Sequence, residues 1–199
     1  MDGVLIEAKE WHYEALNSAL SLFGAEISRY DHLVTFDGLP TKKKLEMLSL
    51  EGGFPYKLHD FVNDLKQQYT TETVYAKCKP VFQHQFALSK LKAEGYKLAV
   101  ASNSTRKSVE IMMEKSGLMQ YIDFFLSNQD VENSKPHPEM YITAIERLGV
   151  SPAECVIVED NDHGIKAATA SGAYVLKVES PDDVHYYAIK KRIEELENA

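Results

Sequence analysis

The stretch that decides the fold is CVIVEDNDHGIKAATASGAYVLKV, residues 155–178. It begins with one compact apolar run, CVIVE, and ends with a second, YVLKV. The residues between the two runs are enough for one helix, which ends near Gly172. A strand, a helix and a second strand in this order predict two parallel strands joined by a crossover helix.

The same alternation runs back along the chain from this stretch. Helices are predicted from Pro80 to Gly95, from Thr105 to Ser116 and from Pro138 to Gly149. The apolar runs YKLAVAS (96–102) and FFLS (124–127) lie between them, and a helix rich in Lys and Glu follows residue 178. Alternating strands and helices predict an α/β fold with a parallel sheet covered by helices on both faces, and the family resemblance given below implies that this sheet is doubly wound and Rossmann-like.

Residues 9–78 break this pattern because they show helical spacing only. One helix is predicted over residues 8–23, a second begins at Thr41, whose side chain can cap it, and a third has Leu58, Phe61 and Val62 on one face. We therefore expect 9–78 to be an inserted helical cap, and 1–8 with 79–199 to be the α/β core. Two connections, near residues 8 and 79, suit a lid that opens and closes over a cleft.

Composition narrows the class of protein. The chain has 199 residues, 44% of them hydrophobic and 26% charged, which is ordinary for a globular protein. We expect a cytoplasmic protein without a membrane segment, because no long apolar run or export signal is found. A net charge of −8 disfavours nucleic acid as a partner. Cys78 and Cys155 are expected to be free thiols, with Cys155 in the core. The oligomeric state stays open.

Polar residues follow the predicted strands at their carboxyl ends, where ligands bind in parallel sheets. CVIVE ends in Glu159 and Asp160, which either cap the next helix or bind a cation. Two adjacent carboxylates favour the cation, and hard oxygen ligands suit Mg²⁺. Ser102 and Asn103 after YKLAVAS form either a turn or an oxyanion site.

Other candidate residues lie on loops and in the cap. Lys135 stands before Pro136 on a stiff segment, which favours binding of an anion over a solvated surface position. The run Lys42 to Lys44 lies in the first turn of a helix, where positive charge opposes the helix dipole. It is either an anion site or a solvated face. His12, near the hinge, is either a site residue or a histidine at the edge of the core.

These motifs resemble the haloacid dehalogenase superfamily, in the branch that contains β-phosphoglucomutase and phosphoglycolate phosphatase. The resemblance covers essentially the whole chain and includes a helical cap inserted after the first strand. The stretches that carry it are DGVL (2–5), VASNS (100–104), SKPHPEMY (134–141) and VEDNDHGIKAATASGA (158–173).

The resemblance implies a phosphatase that acts on small phosphorylated metabolites through an aspartyl phosphate and uses Mg²⁺. By resemblance, Asp2 is the general acid and base, and its backbone carbonyl binds the metal together with Glu159 and Asp160. Ser102 and Lys135 hold the transferring phosphoryl group. Further substrate contacts are expected from four residues, namely Asn103, His12, Thr41 and Lys42. The residue after the acidic pair is Asn161, where many relatives have Ser.

The start of the chain departs from the family pattern, which is a buried strand followed by Asp-x-Asp-Gly with the first Asp as nucleophile. Met1 occupies the x, so the nucleophile and its strand would precede Met1. Because that strand is central, the strands beside it are expected to lack backbone partners.

Three hypotheses follow. The natural protein is a phosphatase whose chain extends upstream of Met1, or it is a phosphomutase that uses the same site. In the third, a chain that begins at Met1 binds phosphate compounds or a partner without turnover. The mutase ranks below the phosphatase, since mutase relatives tend to carry Arg where Thr41 stands. The substrate is not identified by these residues.

Overall fold

The computed structural model describes residues 1–198. The strands are β1 (Ala99–Ala101), β2 (Phe124–Leu126), β3 (Val156–Glu159) and β4 (Tyr174–Lys177). The α-helices are α1 (Lys9–Ser21), α2 (Arg29–Asp31), α3 (Thr41–Gly52), α4 (His59–Lys77), α5 (Phe82–Ala93), α6 (Arg106–Lys115), α7 (Glu139–Leu148), α8 (Asp162–Ala170) and α9 (Tyr186–Glu197). Strands and helices alternate from α5 onward, so the predicted α/β class is confirmed.

The strands form two parallel pairs. In the first, Ala99 of β1 lies opposite Phe124 of β2, and in the second, Val156 of β3 lies opposite Tyr174 of β4. Within residues 1–198, β1 and β3 each have a strand partner on one edge only. The doubly wound sheet therefore appears as two halves instead of one continuous sheet.

A cavity of about 660 Å³ borders the two halves of the sheet. Leu98 and Val100 line it from the β1 side, and Val156 and Val158 line it from β3. Met1 also lines the cavity and is itself buried. Cys155, expected in the core, is only half-buried because it borders this space. This cavity between β1 and β3 agrees with the expectation that the two strands beside the central position of the sheet lack backbone partners.

The predicted helices are found within a few residues of their expected bounds, with two differences. Thr41 does not cap α3, because it is the first helical residue and Pro40 occupies the capping position without a side-chain hydrogen bond. The spacing of apolar residues also did not identify the short helix α2, nor the π-helical turn His32–Phe36 that follows it.

The helices between residues 9 and 77 have a hydrophobic cluster of their own. It includes Leu16, Leu20, Phe36, Leu45 and Val62, all buried. A separate cluster joins Ile6 to Val100 and Met112 beneath the strands. The division at residues 8 and 79 stays a prediction, since this packing does not fix its boundaries. No helix in residues 1–198 is both long and apolar enough to cross a membrane.

Candidate active site

Asp2 lies in a tight turn at the amino-terminal end of the chain. Gly3 has φ +73°, and a Cβ there would overlap the carboxylate of Asp160, so glycine allows the two loops to meet. The hydroxyl of Ser104 donates to Asp2 Oδ2 at 2.9 Å, and Ser102 Oγ lies 3.5 Å from the same oxygen. The other oxygen, Oδ1, is buried and accepts no hydrogen bond within residues 1–198.

His12 of α1 approaches this free oxygen. Its Nε2 lies 3.4 Å from Asp2 Oδ1, and its Nδ1 lies 3.0 Å from Lys66 Nζ. If the ammonium of Lys66 donates to Nδ1, the imidazole proton is on Nε2 and is directed at Asp2. Burial raises the pKa of Asp2, but the nearby imidazole of His12 and the hydrogen bond from Ser104 hold it well below its usual range. Asp2 is therefore ionised at neutral pH.

Lys135 and Glu159 form a buried ion pair below Asp2. The Lys135 ammonium donates to Glu159 Oε1 at 2.5 Å, to the carbonyl of Ala101 at 3.0 Å and to the Tyr141 hydroxyl at 2.7 Å. Tyr141 donates to the same Glu159 oxygen. Burial raises the pKa of Glu159, but the charge of Lys135 and the hydrogen bonds from Lys135 and Tyr141 together contribute to lowering it to about 2, so the carboxylate is ionised.

Gly164, in the first turn of α8, makes room for Glu159. A Cβ at this position would overlap the Glu159 carboxylate. The helix itself is capped by Asn161, whose side chain accepts from the N–H of His163 at 2.9 Å. The capping role weighed for Glu159 and Asp160 is thus filled by another residue, which favours the cation alternative.

The three expected metal ligands are only partly brought together. Asp160 Oδ2 is buried against Gly3 and lies 2.7 Å from Lys9 Nζ. Glu159 is engaged by Lys135 and Tyr141. No group of three His, Cys, Asp or Glu side chains in residues 1–198 has a metal-binding arrangement. Asp160 and the Asp2 carbonyl fit Mg²⁺ as hard oxygen donors, but a complete site needs a further oxygen ligand or a rotated Glu159.

Asn103 joins three segments of the chain. Its side-chain NH₂ donates to the carbonyls of Gly38 at 3.0 Å and Lys135 at 3.1 Å, and its oxygen accepts from the Lys135 N–H. A substrate contact by Asn103 stays a prediction, since both side-chain atoms are already used. Asn161 makes a similar link to the cap, donating to Asp37 Oδ2 at 2.7 Å.

A cavity of about 560 Å³ separates these core loops from the cap. Six of the predicted site residues line it, namely Asp2, His12, Thr41, Lys42, Asn103 and Asp160. We call the core side, made of Asp2, Ser102, Lys135, Glu159 and Asp160, the floor. We call the cap side, made of His12, His32, Lys44 and Lys66, the roof. Ser102, Lys135 and Glu159 are buried behind the cavity wall.

The family model for haloacid dehalogenase-like hydrolases matches residues 1–178 of this chain. The chain belongs to this family. The expected enzyme class, a haloacid dehalogenase-like hydrolase, is thereby confirmed.

Relatives agree with this assignment. The chain is 32% identical over 202 residues to a haloacid dehalogenase-like hydrolase domain-containing protein of Arabidopsis thaliana, and the match covers 86% of this chain and 64% of that one. It is 28% identical over 175 residues to a phosphorylated carbohydrates phosphatase of Thermotoga maritima, covering 86% and 79%.

A solved structure shows the same fold. The β-phosphoglucomutase of Clostridium difficile superposes with a TM-score of 0.85 at 19% identity, over 100% of this chain and 96% of that one. The expected doubly wound fold with a cap is confirmed by this likeness, which concerns the fold alone.

Several residues of this haloacid dehalogenase-like site were missed by the sequence patterns. They are Lys9, His32, Asp37, Lys66 and Ser104, all of which line the cavity. A signal existed for Lys66, because it stands four residues after Val62 in the buried row of α4. Ser104 was within the quoted motif VASNS, but nothing separated its hydroxyl from that of Ser102.

Proposed function

We propose that this protein is a Mg²⁺-dependent phosphatase of small phosphorylated metabolites, with Asp2 as its general acid and base. The observation that carries the proposal is the Asp2 carboxylate. One of its oxygens is held by Ser104, and the other is unpartnered within residues 1–198, beside His12 and next to Asp160. A carboxylate held in this way can accept a proton from water.

The low pKa of Asp2 is compatible with a role as acid once substrate is bound. A phosphate dianion beside the carboxylate raises its pKa, since like charges disfavour ionisation. Asp2 can then carry the proton that the leaving oxygen needs. His12 Nε2 lies 3.4 Å from Asp2 Oδ1, and both side chains line the cavity.

Lys135 and Ser102 are the proposed ligands of the transferring phosphoryl group. Lys135 is stiffly placed because three acceptors surround its ammonium group. Mg²⁺ would be held by Asp160, the Asp2 carbonyl and Glu159, and it would neutralise charge so that two anions can approach each other. The clustering of these groups behind one cavity wall supports the proposal.

The nucleophile is proposed to lie on a segment that precedes Met1. The resemblance puts it two residues before Asp2, at the end of a central strand. The apolar cavity beside the β1 and β3 edges supports this placement, because it offers strand edges and apolar walls on both sides.

A phosphomutase is the second candidate. The buried Lys44 and Lys66 favour it, because a mutase must hold a second phosphate in the cap. Thr41, where mutase relatives tend to carry Arg, argues the other way.

The test begins with the codons upstream of the Met1 codon. Codons for several apolar residues ending in Asp are expected there, and an immediate stop codon would contradict an upstream nucleophile in the native gene. The extended protein should release phosphate from sugar phosphates, phosphoglycolate or nucleotides with Mg²⁺, and chelation should stop the release. Failure across the whole panel would contradict the phosphatase and favour a binding protein. Interconversion of sugar phosphate isomers without release would favour the mutase.

A further inference from the structure

Four aromatic side chains form a continuous row along α5 and α9. The ring centroids of Phe82 and Phe86 lie 6.1 Å apart, and those of Phe86 and Tyr186 also lie 6.1 Å apart. Tyr187 continues the row, with its ring centroid 5.2 Å from that of Tyr186. We call these four residues the aromatic face. None of them lines the cavity between core and cap, so the proposed chemistry does not use them.

Much of the aromatic face is exposed to solvent. Phe82 is 78% exposed, Phe86 is 40% exposed and Tyr187 is 70% exposed. With a surface of about 200 Å² for each of these side chains, the three leave about 400 Å² of mostly apolar surface uncovered. Single exposed apolar residues are common, whereas a contiguous patch of this size is typical of a surface where proteins associate.

The helical part of the aromatic face is complementary to a copy of itself. Phe82 and Phe86 are four residues apart and therefore lie on the same side of α5. If a second α5 lies antiparallel to the first, Phe82 of each helix meets Phe86 of the other. A two-fold axis produces reciprocal contacts of this kind. The opposed directions of the two helix dipoles also favour the antiparallel arrangement.

The amino-terminal end of the aromatic face has an excess of negative charge. Gln83 Nε2 donates to the carbonyl of Asp182 at 2.8 Å, which places the loop after β4 beside the start of α5. Asp182 and Asp183 are both exposed, and Asp182 forms no ion pair within residues 1–198. One exposed lysine, Lys79, stands near this end, three residues before Phe82.

The carboxyl-terminal end of the aromatic face has an excess of positive charge. Lys90 lies 3.9 Å from Glu94, and Lys190 lies 3.5 Å from the same carboxylate, so two lysines share one acid. The Lys90 side chain is 50% exposed, and its ammonium lies 5.9 Å from the centre of the Tyr186 ring, at the edge of the face. An antiparallel copy brings the positive end of each chain to the negative end of the other. This complementarity favours a second copy as the partner.

We propose that the aromatic face is the contact surface of a symmetric homodimer. In this dimer the two α5 helices are antiparallel, and Lys90 of each chain lies beside Asp182 of the other. A standard interface buries about 800 Å² on each partner, so the aromatic residues supply its apolar centre and the charged ends supply its rim. The inference goes beyond the proposed activity, because it concerns assembly through a surface outside the cavity.

The first test is sedimentation equilibrium of the 199-residue chain and of the extended protein, from about 1 μM to about 100 μM. The mass should rise to twice that of one chain. Phe82→Ser should raise the dissociation constant of the dimer about tenfold or more. Tyr30→Ser is the control, because Tyr30 of the cap is 72% exposed and should not contribute.

Two results of this test would overturn the proposal. One is the mass of a single chain over the whole concentration range. The other is a dimer that Phe82→Ser leaves intact, because such a dimer forms through another surface, such as the strand edges of β1 and β3. Phe82 is largely exposed, so its variant should fold, and an unchanged circular dichroism spectrum checks this.

Charge reversal tests the antiparallel arrangement. Lys90→Glu and Asp182→Lys each place like charges together, so each should raise the dissociation constant about tenfold or more. Lys166→Glu, on an exposed lysine of α8, changes the net charge equally and should have no effect.

An equimolar mixture of the two charge variants should form a heterodimer of about wild-type affinity. Both of its charge contacts then join opposite signs, one between the two new side chains and one between the two native ones. A mixture that associates no better than either variant alone would contradict the contact between Lys90 and Asp182.

Discussion

The floor and the roof of the cavity differ in whether their charged side chains have partners of opposite charge. On the floor, Lys135 is paired with Glu159, and Asp160 lies beside Lys9. On the roof, Lys44 has no acidic partner within residues 1–198, and Lys66 has only a histidine. The difference teaches that the floor balances its buried charges within the chain, whereas the roof keeps two buried lysines without an acidic partner in residues 1–198.

The largest expected loss of stability follows from breaking the floor's ion pair. Lys135→Met leaves Glu159 buried without its cation, which should lower the free energy of unfolding by about 3–5 kcal/mol. Urea unfolding measures this. Adding Glu159→Gln should recover part of the loss, and Lys166→Met, an exposed lysine of α8, should be neutral. If Lys135→Met unfolded at the same urea concentration as the wild type, the ion pair would not contribute to the stability of the floor.

A smaller loss is expected where the floor is closely packed. Gly164→Ala puts a methyl group against the Glu159 carboxylate and should cost about 1–3 kcal/mol. Gly52→Ala at the end of α3 meets no atom within 4 Å and should not destabilise the protein. Thermal melts of the two variants provide the comparison. Equal melting temperatures would mean that Glu159 can move aside freely.

The titration of Lys44 in the roof should make the free energy of unfolding depend on pH in the opposite sense from that of a lysine in an ion pair. The folded pKa of Lys44, about 8, lies below its unfolded value of about 10.4, so between them the unfolded chain binds more protons. Wild-type stability should therefore rise with pH in this window. The advantage of Lys44→Met over wild type, on the order of 3 kcal/mol at pH 7, should shrink towards pH 10. Urea unfolding at pH 7, 8.5 and 10 measures it, with Lys42→Met as the control. An advantage that does not change with pH would mean that Lys44 is not charged and buried at pH 7.

The smallest effect concerns a contact between core and cap, next to the floor and the roof. Asn161→Ala removes the hydrogen bond to Asp37 at 2.7 Å and should weaken cap closure by about 1 kcal/mol. In the extended protein this should appear as a higher KM with little change in kcat. A lower kcat at unchanged KM would instead place Asn161 in the chemistry.

The floor could be predicted from the sequence because each of its groups has a local signature. Glu159 and Asp160 end an apolar strand, and Lys135 stands before Pro136. These residues follow predicted parallel strands, so they were expected at the same carboxyl edge of the sheet. The pairing of Glu159 with Lys135 was not predicted, since it depends on side-chain contacts between separate loops.

The roof could not be predicted in the same way because it depends on helix rotation. Successive residues on a helix differ by about 100°, so only some of Lys42, Lys43 and Lys44 can face the cavity. Lys42 and Lys44 both line the cavity, but the packing of α3 leaves Lys42 exposed and buries Lys44, whereas the sequence favoured Lys42. In α4 the expected face included Phe61, which is 54% exposed, whereas Val62 and Lys66 are buried.

The most direct test of the central claim is the turnover of Asp2→Asn in the upstream-extended protein at saturating substrate and Mg²⁺. If Asp2 transfers the proton on the floor, kcat for phosphate release should fall by about 10²–10⁴-fold. Turnover by Asp2→Asn at close to the wild-type rate would contradict the account.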